Sequence, residues 1–295
     1  MTIQTKEIEM YNQDSAQKYG WKPDWFGVDG FGDALTEAIK KFQREHDLDD
    51  DGLVGPSTYR RIFLSRETNI SKWEKQKISD GEKSIVYDGN LYKIEWDRVI
   101  LWDDKDGLKA SHMKKNIGKP REPMMFVNHW DVCLSSKSCH KVLEKRGLSV
   151  HFLIDNDGTI YQTMDIQHTA FHAGNHNSVS IGVEIANAYY PKYQDWYVKN
   201  GFGKRPIWEG TVHGKTLKPH LGFYDVQIRA CQALWKAVSV SCDIPLRCPL
   251  QDGKMMESVH PQSVEKKWKG FVHHFHISKN KIDCGGFDLQ RYLGR

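Results

Sequence analysis

The sequence predicts an α/β protein with a small all-α domain at its start. Between residues 33 and 46, Leu35, Ala38, Ile39 and Phe42 recur at helical spacing, with Glu37, Lys40, Lys41 and Arg44 on the opposite side. Short apolar runs at 124–130, 150–154 and 180–186 have the length of strands and are set off by turn residues. A second stripe, Ile228, Cys231, Leu234, Trp235 and Val238, marks a helix over 225–240. The expected division is a helical module over 1–65, a linker over 66–81 and a larger domain over 82–295.

Composition narrows the function classes. The 295 residues have the apolar, charged, Gly and Pro content of a globular chain. A net charge of +4 and a pI near 8.6 are mild and unclustered, which argues against a nucleic-acid partner. No apolar run approaches the ~18 residues of a membrane span, so no membrane partner is expected. The start, Met1 to Met10, is too polar and acidic for a secretory signal, so the expected location is the cytoplasm in which the chain is made. Six dispersed cysteines do not form a disulfide framework, although the spacing of Cys133 and Cys139 permits a bridge. Nothing in the sequence asks for more than a monomer.

In the first module a Gly turn followed by Thr occurs twice. Asp29-Gly-Phe-Gly precedes Thr36 and the first helix, and Asp51-Gly-Leu-Val-Gly precedes Thr58 and a second helix over 58–64. Together with Ala38, Gln43 and Leu48, this series over residues 27–58 resembles the peptidoglycan-binding module of cell-wall hydrolases. The resemblance implies a three-helix domain that targets bacterial peptidoglycan and carries no catalyst.

The connector is charged from Ser65 to Lys83. It then alternates polar and apolar residues around Asp88-Gly89, which predicts a hairpin, and it turns polar and Lys-rich from Asp103 to Arg121, which predicts a surface loop. Beyond it the chemistry-bearing residues appear. Met124 to Trp130 reads as a buried strand that delivers His129 at its end. Helix is expected over 141–146, and two strands around Asn156-Asp157-Gly158 over 150–162. A loop from Ala170 to Asn177 carries His172 and His176. In Ser180 to Ala186, Ile181, Val183 and Ile185 share one face, and Glu184 lies with Gly182 on the other. Residues 189–221 are rich in Tyr, Trp, Lys and Gly with little periodicity, as in an insertion lining a polymer groove or a plain surface excursion. Finally, His273, His274, His276, Lys281, Asp283 and Cys284 crowd into a dozen residues, a density of nitrogen, oxygen and sulfur donors that suggests a metal.

From about residue 122 to 293 this ordered series resembles the zinc-dependent N-acetylmuramoyl-L-alanine amidases, the family that includes peptidoglycan-recognition proteins. The resemblance implies a central mixed β-sheet flanked by helices. It also implies Zn2+ held by His129, His274 and Asp283, with Lys281 near the reacting carbonyl and Glu184 as the acid–base carboxylate. His172 and Asn177 would belong to a loop that contacts the muropeptide. Cys284 stands where the family has proline and is an alternative ligand. It lies eight residues after His276, whereas Asp283 lies nine after His274, so His273, His274 and His276 all stay eligible. Val150 replaces the tyrosine of some members, and Glu184 takes the equivalent role.

The resemblance implies a zinc hydrolase that cuts the amide between N-acetylmuramic acid and L-alanine. The wall-binding module beside it, with no signal segment, points to an endolysin of a bacteriophage, held in the host cytoplasm and reaching the wall at lysis. The alternatives are a non-catalytic peptidoglycan receptor, a bacterial wall-remodelling or recycling amidase, and a closed four-ligand structural zinc site using His129, His274, Asp283 and Cys284.

Overall fold

In the computed structural model, which describes residues 3–116, 118 and 121–294, the first module is built on three helices, α1 (Ile3–Tyr19), α2 (Asp33–Glu45) and α3 (Pro56–Ile70). Leu35 and Ile39 of α2 are fully buried against Tyr19, Trp21, Val54 and Tyr59. Helix α3 starts earlier than the 58–64 its apolar pattern suggests, because Pro56 at its first turn has no amide proton to leave unsatisfied. It also continues past residue 65, and the compact unit extends to Ser71.

Helix α1 has little apolar periodicity and docks through polar groups. The buried Asn12 donates from Nδ2 to the Gly52 carbonyl (2.9 Å) and accepts the Val54 amide (2.9 Å), and Ser15 donates to the Val54 carbonyl (2.5 Å). Gln43 holds the same loop from the other side, donating to Asp51 and Leu53 and accepting the Gly52 amide. The repeated Asp-Gly turn is therefore the hub on which the helices meet.

The second unit, residues 72–295, begins with the expected hairpin, β1 (Lys83–Tyr87) and β2 (Asn90–Ile94), paired antiparallel about Asp88-Gly89. Both turn residues have positive φ, 51° and 72°, as a two-residue turn matching the twist of its strands requires. Next come β3 (Val99–Leu101), β4 (Met113–Lys114), β5 (Met125–Trp130), α4 (Ser136–Arg146), β6 (Phe152–Ile154), β7 (Ile160–Gln162), β8 (Thr169–Ala170) and β9 (Ser180–Ile185). Within the polar stretch 103–121, β4 pairs with β8, and residues 117, 119 and 120 lie outside those described. The region 189–221 holds α5 (Gln194–Lys199) and the short strands β10 (Ile207–Trp208), β11 (Thr211–Val212), β12 (Lys215–Thr216) and β13 (His220–Leu221). The chain ends with α6 (Asp225–Cys242), β14 (Leu250–Gln251), β15 (Lys254–Met255), α7 (Pro261–Val264), β16 (Gly270–His273), α8 (His274–Ile277) and α9 (Leu289–Tyr292).

Six of these strands form one mixed sheet in the order β16-β5-β9-β6-β7-β3. β16, β5, β9 and β6 run parallel, and β7 is antiparallel to β6. Strands buried on both faces explain the near-continuous apolar runs of β5 and β9. Helix α6 packs against β1, β2 and β6, and its Trp235 donates from Nε1 to Asn128 Oδ1 (3.1 Å). Adjacent strand residues point to opposite faces, so His129 faces away from the side that Trp235 touches. Among the described residues no helix is long and apolar enough to cross a membrane, and the six cysteines, Cys133 and Cys139 included, are buried and form no disulfide.

Asn12→Ala is expected to leave the Gly52 carbonyl and Val54 amide without partners, costing about 1–3 kcal/mol. Hydrogen exchange should then show faster exchange of the Val54 amide, with β5 and β9 unchanged.

Candidate functional site

Strand register builds the site. His129 of β5 is directly paired with Glu184 of β9, and Glu184 is also paired with Leu153 of β6, so the histidine and the carboxylate lie side by side on one face. β16 pairs with β5 through His273 and Asn128, which brings the next residue, His274 at the start of α8, to the end of β5 beside His129. These groups sit at the carboxyl ends of parallel strands, where open α/β sheets place their ligand crevices.

Three donor atoms converge there. His129 Nδ1 and His274 Nδ1 are 3.0 Å apart, and Asp283 Oδ2 lies 3.0 Å from the first and 3.1 Å from the second. A four-coordinate cation with ligands ~2.0–2.1 Å away keeps them roughly 3.3 Å from one another, so the triangle has the size and the donor chemistry of a metal site. Nitrogen lone pairs facing a carboxylate at this spacing repel unless a proton or a cation lies between them.

Burial and the neighbouring His274 push the His129 pKa down to about 4, against the pull of Asp283. Burial pushes the Asp283 carboxyl up, but His274 and His129 outweigh it and hold it well below the ordinary carboxylate range. At neutral pH the first is a neutral imidazole and the second an anion, the protonation states in which both bind metals.

The other residues of the C-terminal cluster are used elsewhere. His273 directs Nε2 to the Phe287 carbonyl (2.7 Å); His276 accepts the His273 amide on Nδ1 (2.9 Å) and faces the Met256 carbonyl with Nε2 (2.7 Å). Cys284 is fully buried outside the triangle, and burial, with Asp283 beside it, keeps its thiol protonated. Lys281 is exposed, and its carbonyl accepts from His213 Nε2 (3.0 Å).

The loop side chains face inward. Asn177 Oδ1 accepts the amides of His172 (3.1 Å) and Ala173 (2.7 Å), which fixes the loop's shape. His172 places Nδ1 2.9 Å from His129 Nε2, and Nε2 3.2 Å from Ser180 Oγ. Its pKa is held well below the usual histidine range by burial, with His129 beside it. A Cβ at Gly182 would come within 2.6 Å of this ring. Neither Ser180 nor this contact stands out in the sequence, although a glycine inside an apolar strand is the signal of a close approach.

Residues 119–248 match the N-acetylmuramoyl-L-alanine amidase family model, and residues 17–62 match that of the peptidoglycan binding domain. The second unit carries an N-acetylmuramoyl-L-alanine amidase domain. Peptidoglycan is thus the polymer that both parts of the amidase address.

Among solved structures, the amidase is similar to the endolysin N-acetylmuramoyl-L-alanine amidase LysCS from Clostridium intestinale URNW, at 14% identity over 66% of this chain and 91% of that one, with a TM-score of 0.40. It is also similar to the Ph2119 endolysin from the Thermus scotoductus MAT2119 bacteriophage Ph2119, at 15% identity over 66% and 96%, with a TM-score of 0.36. The E. coli amidase AmiD is similar at 20% identity over 45% and 49%, with a TM-score of 0.31. No curated protein matches the chain. The matched span holds His129, His172 and Glu184, while His274, Lys281 and Asp283 lie beyond it and join through the pairing of β16 with β5.

Acid should destabilise the metal-free amidase in a defined window. His129 and His273 have pKa values near 4 against an ordinary 6.5, so between those values the unfolded chain binds more protons than the folded one. Stability is therefore lost as pH falls from about 6.5 toward 4, by several kcal/mol in all. Asp283, whose pKa is lowered, contributes stability that is present above the ordinary carboxylate pKa and is lost only at more acid pH. Urea midpoints of chelator-treated protein should drop on going from about pH 7 to about pH 5; a flat profile over that range would contradict the buried neutral histidines.

Proposed function

We propose that the amidase is a zinc-dependent endolysin that cleaves the bond between N-acetylmuramic acid and L-alanine, with His129, His274 and Asp283 holding the metal. The observation that carries this reading is the convergence of Nδ1, Nδ1 and Oδ2 within 3.0–3.1 Å, beside Glu184, in a domain matched by the amidase family. When bound, zinc supplies a water acidified to a pKa of about 7 and a positive charge for the carbonyl oxygen.

The remaining roles fall to side chains. Glu184, beside His129 on the same sheet face, takes the proton of the attacking water and returns it to the leaving nitrogen of L-alanine. Lys281, exposed on the segment that ends at Asp283, offers its ammonium to the oxygen on which negative charge develops. The muropeptide meets the loop that carries His172 and Asn177, whose shape the Asn177 side chain sets by accepting the amides of His172 and Ala173.

The first domain, which reaches Ser71 rather than residue 65, holds the enzyme on the wall, and the second, residues 72–295, catalyses. A wall-binding domain beside an amidase suits an enzyme acting on intact peptidoglycan better than one acting on small recycled muropeptides. On this reading a monomer accumulates in the host cytoplasm and reaches the wall at lysis.

The purified protein should solubilise peptidoglycan with release of L-alanine amino termini, and a chelator should stop it. New reducing sugar ends without new amino groups would identify a glycosidase instead. Glu184→Ala should retain one zinc per chain while losing about 10²–10⁴-fold in rate, and Lys281→Ala about 10²–10³-fold. Loss of zinc from the Glu184 variant would make that residue a ligand rather than an acid–base group.

A further inference from the structure

We infer that His172 is a positioning residue, fixing the proton of His129 on Nε2 so that Nδ1 is free to bind zinc; this rests on the reading of His129 as a ligand. The hydrogen bonds determine the arrangement one after another. Ser180 Oγ lies 2.8 Å from the His176 carbonyl, which can only accept, so the single hydroxyl proton points there. The same oxygen must then accept from His172 Nε2, 3.2 Å away. A neutral imidazole carries one N–H, so His172 Nδ1 is bare. It accepts from His129 Nε2 across 2.9 Å, and His129 in turn keeps a lone pair on Nδ1, the atom facing His274 and Asp283.

The surroundings hold this relay in place. Ser180 is fully buried at the start of β9, and the amides of His172 and Ala173 are tied to Asn177 Oδ1. Gly182, one pleat along the strand from Ser180, gives the His172 ring room that any Cβ would take. Ligating histidines commonly pass their second proton to a carboxylate, a backbone carbonyl or water. A neutral imidazole as the acceptor orients His129 equally well and adds no negative charge, so the bound cation keeps more of its pull on a carbonyl.

The test measures zinc affinity by competition with a chromophoric chelator, and it records the nitrogen chemical shifts of the histidines in the zinc-free protein. The parent should show a protonated Nε2 and a bare Nδ1 at His129, and His129→Ala should abolish binding. His172→Ala should weaken zinc about 10–100-fold. His172→Asn, whose Oδ1 replaces the Nδ1 acceptor, should recover most of that loss, which a merely space-filling role would not allow. A proton on His129 Nδ1 in the parent, or an affinity within about twofold of the parent in His172→Ala, overturns the positioning role while leaving the ligand reading intact. Zinc binding unaffected by His129→Ala overturns the ligand reading, and this proposal with it.

Discussion

The site depends on one register, the parallel pairing of β5 with β9 that sets His129 opposite Glu184. A slip of one residue would set Val183 or Ile185 opposite His129 and turn the carboxylate toward the face that carries Asn128, where Trp235 of α6 packs. Ile181, Val183 and Ile185 on one side and Gly182 and Glu184 on the other make that slip costly, because it would set a carboxylate against the face packed by α6 and a branched side chain where the His172 ring crosses Gly182. On the other edge of β5, the register of β16 decides that the residue entering the site is the one after His273. Hydrophobic alternation, which specifies the strands, thereby specifies the chemistry.

Most of this was legible in the sequence, and the exceptions have physical reasons. Strand-end His129, the two faces of β9 and the stripe on α6 follow from periodicity alone. The choice among three adjacent histidines does not, because it turns on where β16 stops and α8 starts. His273, the last strand residue, reaches the Phe287 carbonyl; His276 accepts the His273 amide at the junction; only His274 is left at the end of β5. Asp283 and Cys284 could not be ranked from spacing either, since a buried thiol and a triangle closed by a carboxylate are properties of the folded loop. Helix α1 escaped notice for the opposite reason: its contacts are hydrogen bonds from Asn12 and Ser15 to a turn, and these leave no apolar stripe.

The aperiodic region 189–221 gains a purpose from its neighbours. Val212 and Leu217 close over Gly285, where a Cβ would come within 2.8 Å and 2.5 Å of them, and a Cβ at Gly210 would meet the Gly286 backbone at 2.7 Å. Trp208 stacks on Phe287, and His213 donates to the Lys281 carbonyl. These contacts brace the segment that carries Lys281 and Asp283, which has little regular structure of its own between α8 and α9. Such a brace needs close backbone approach and scattered aromatic rings rather than a repeating pattern, so composition marked the region as unusual without revealing its use.

Charge balance connects the brace to the proposed chemistry. With Glu184 ionised, Asp283 and Glu184 together match the two positive charges of a zinc ion, and His129, His172 and His273 contribute none because burial keeps them neutral. On the proposed chemistry Lys281 then supplies a surplus positive charge, which the oxyanion formed during amide hydrolysis would neutralise. An ammonium on an exposed, unbraced loop would lose much of that attraction to solvent and to its own mobility. Anchoring its backbone through His213, and Gly285 through Val212 and Leu217, would on the proposed chemistry hold that charge near the developing oxyanion, which gives a use to an insertion that sequence periodicity does not explain.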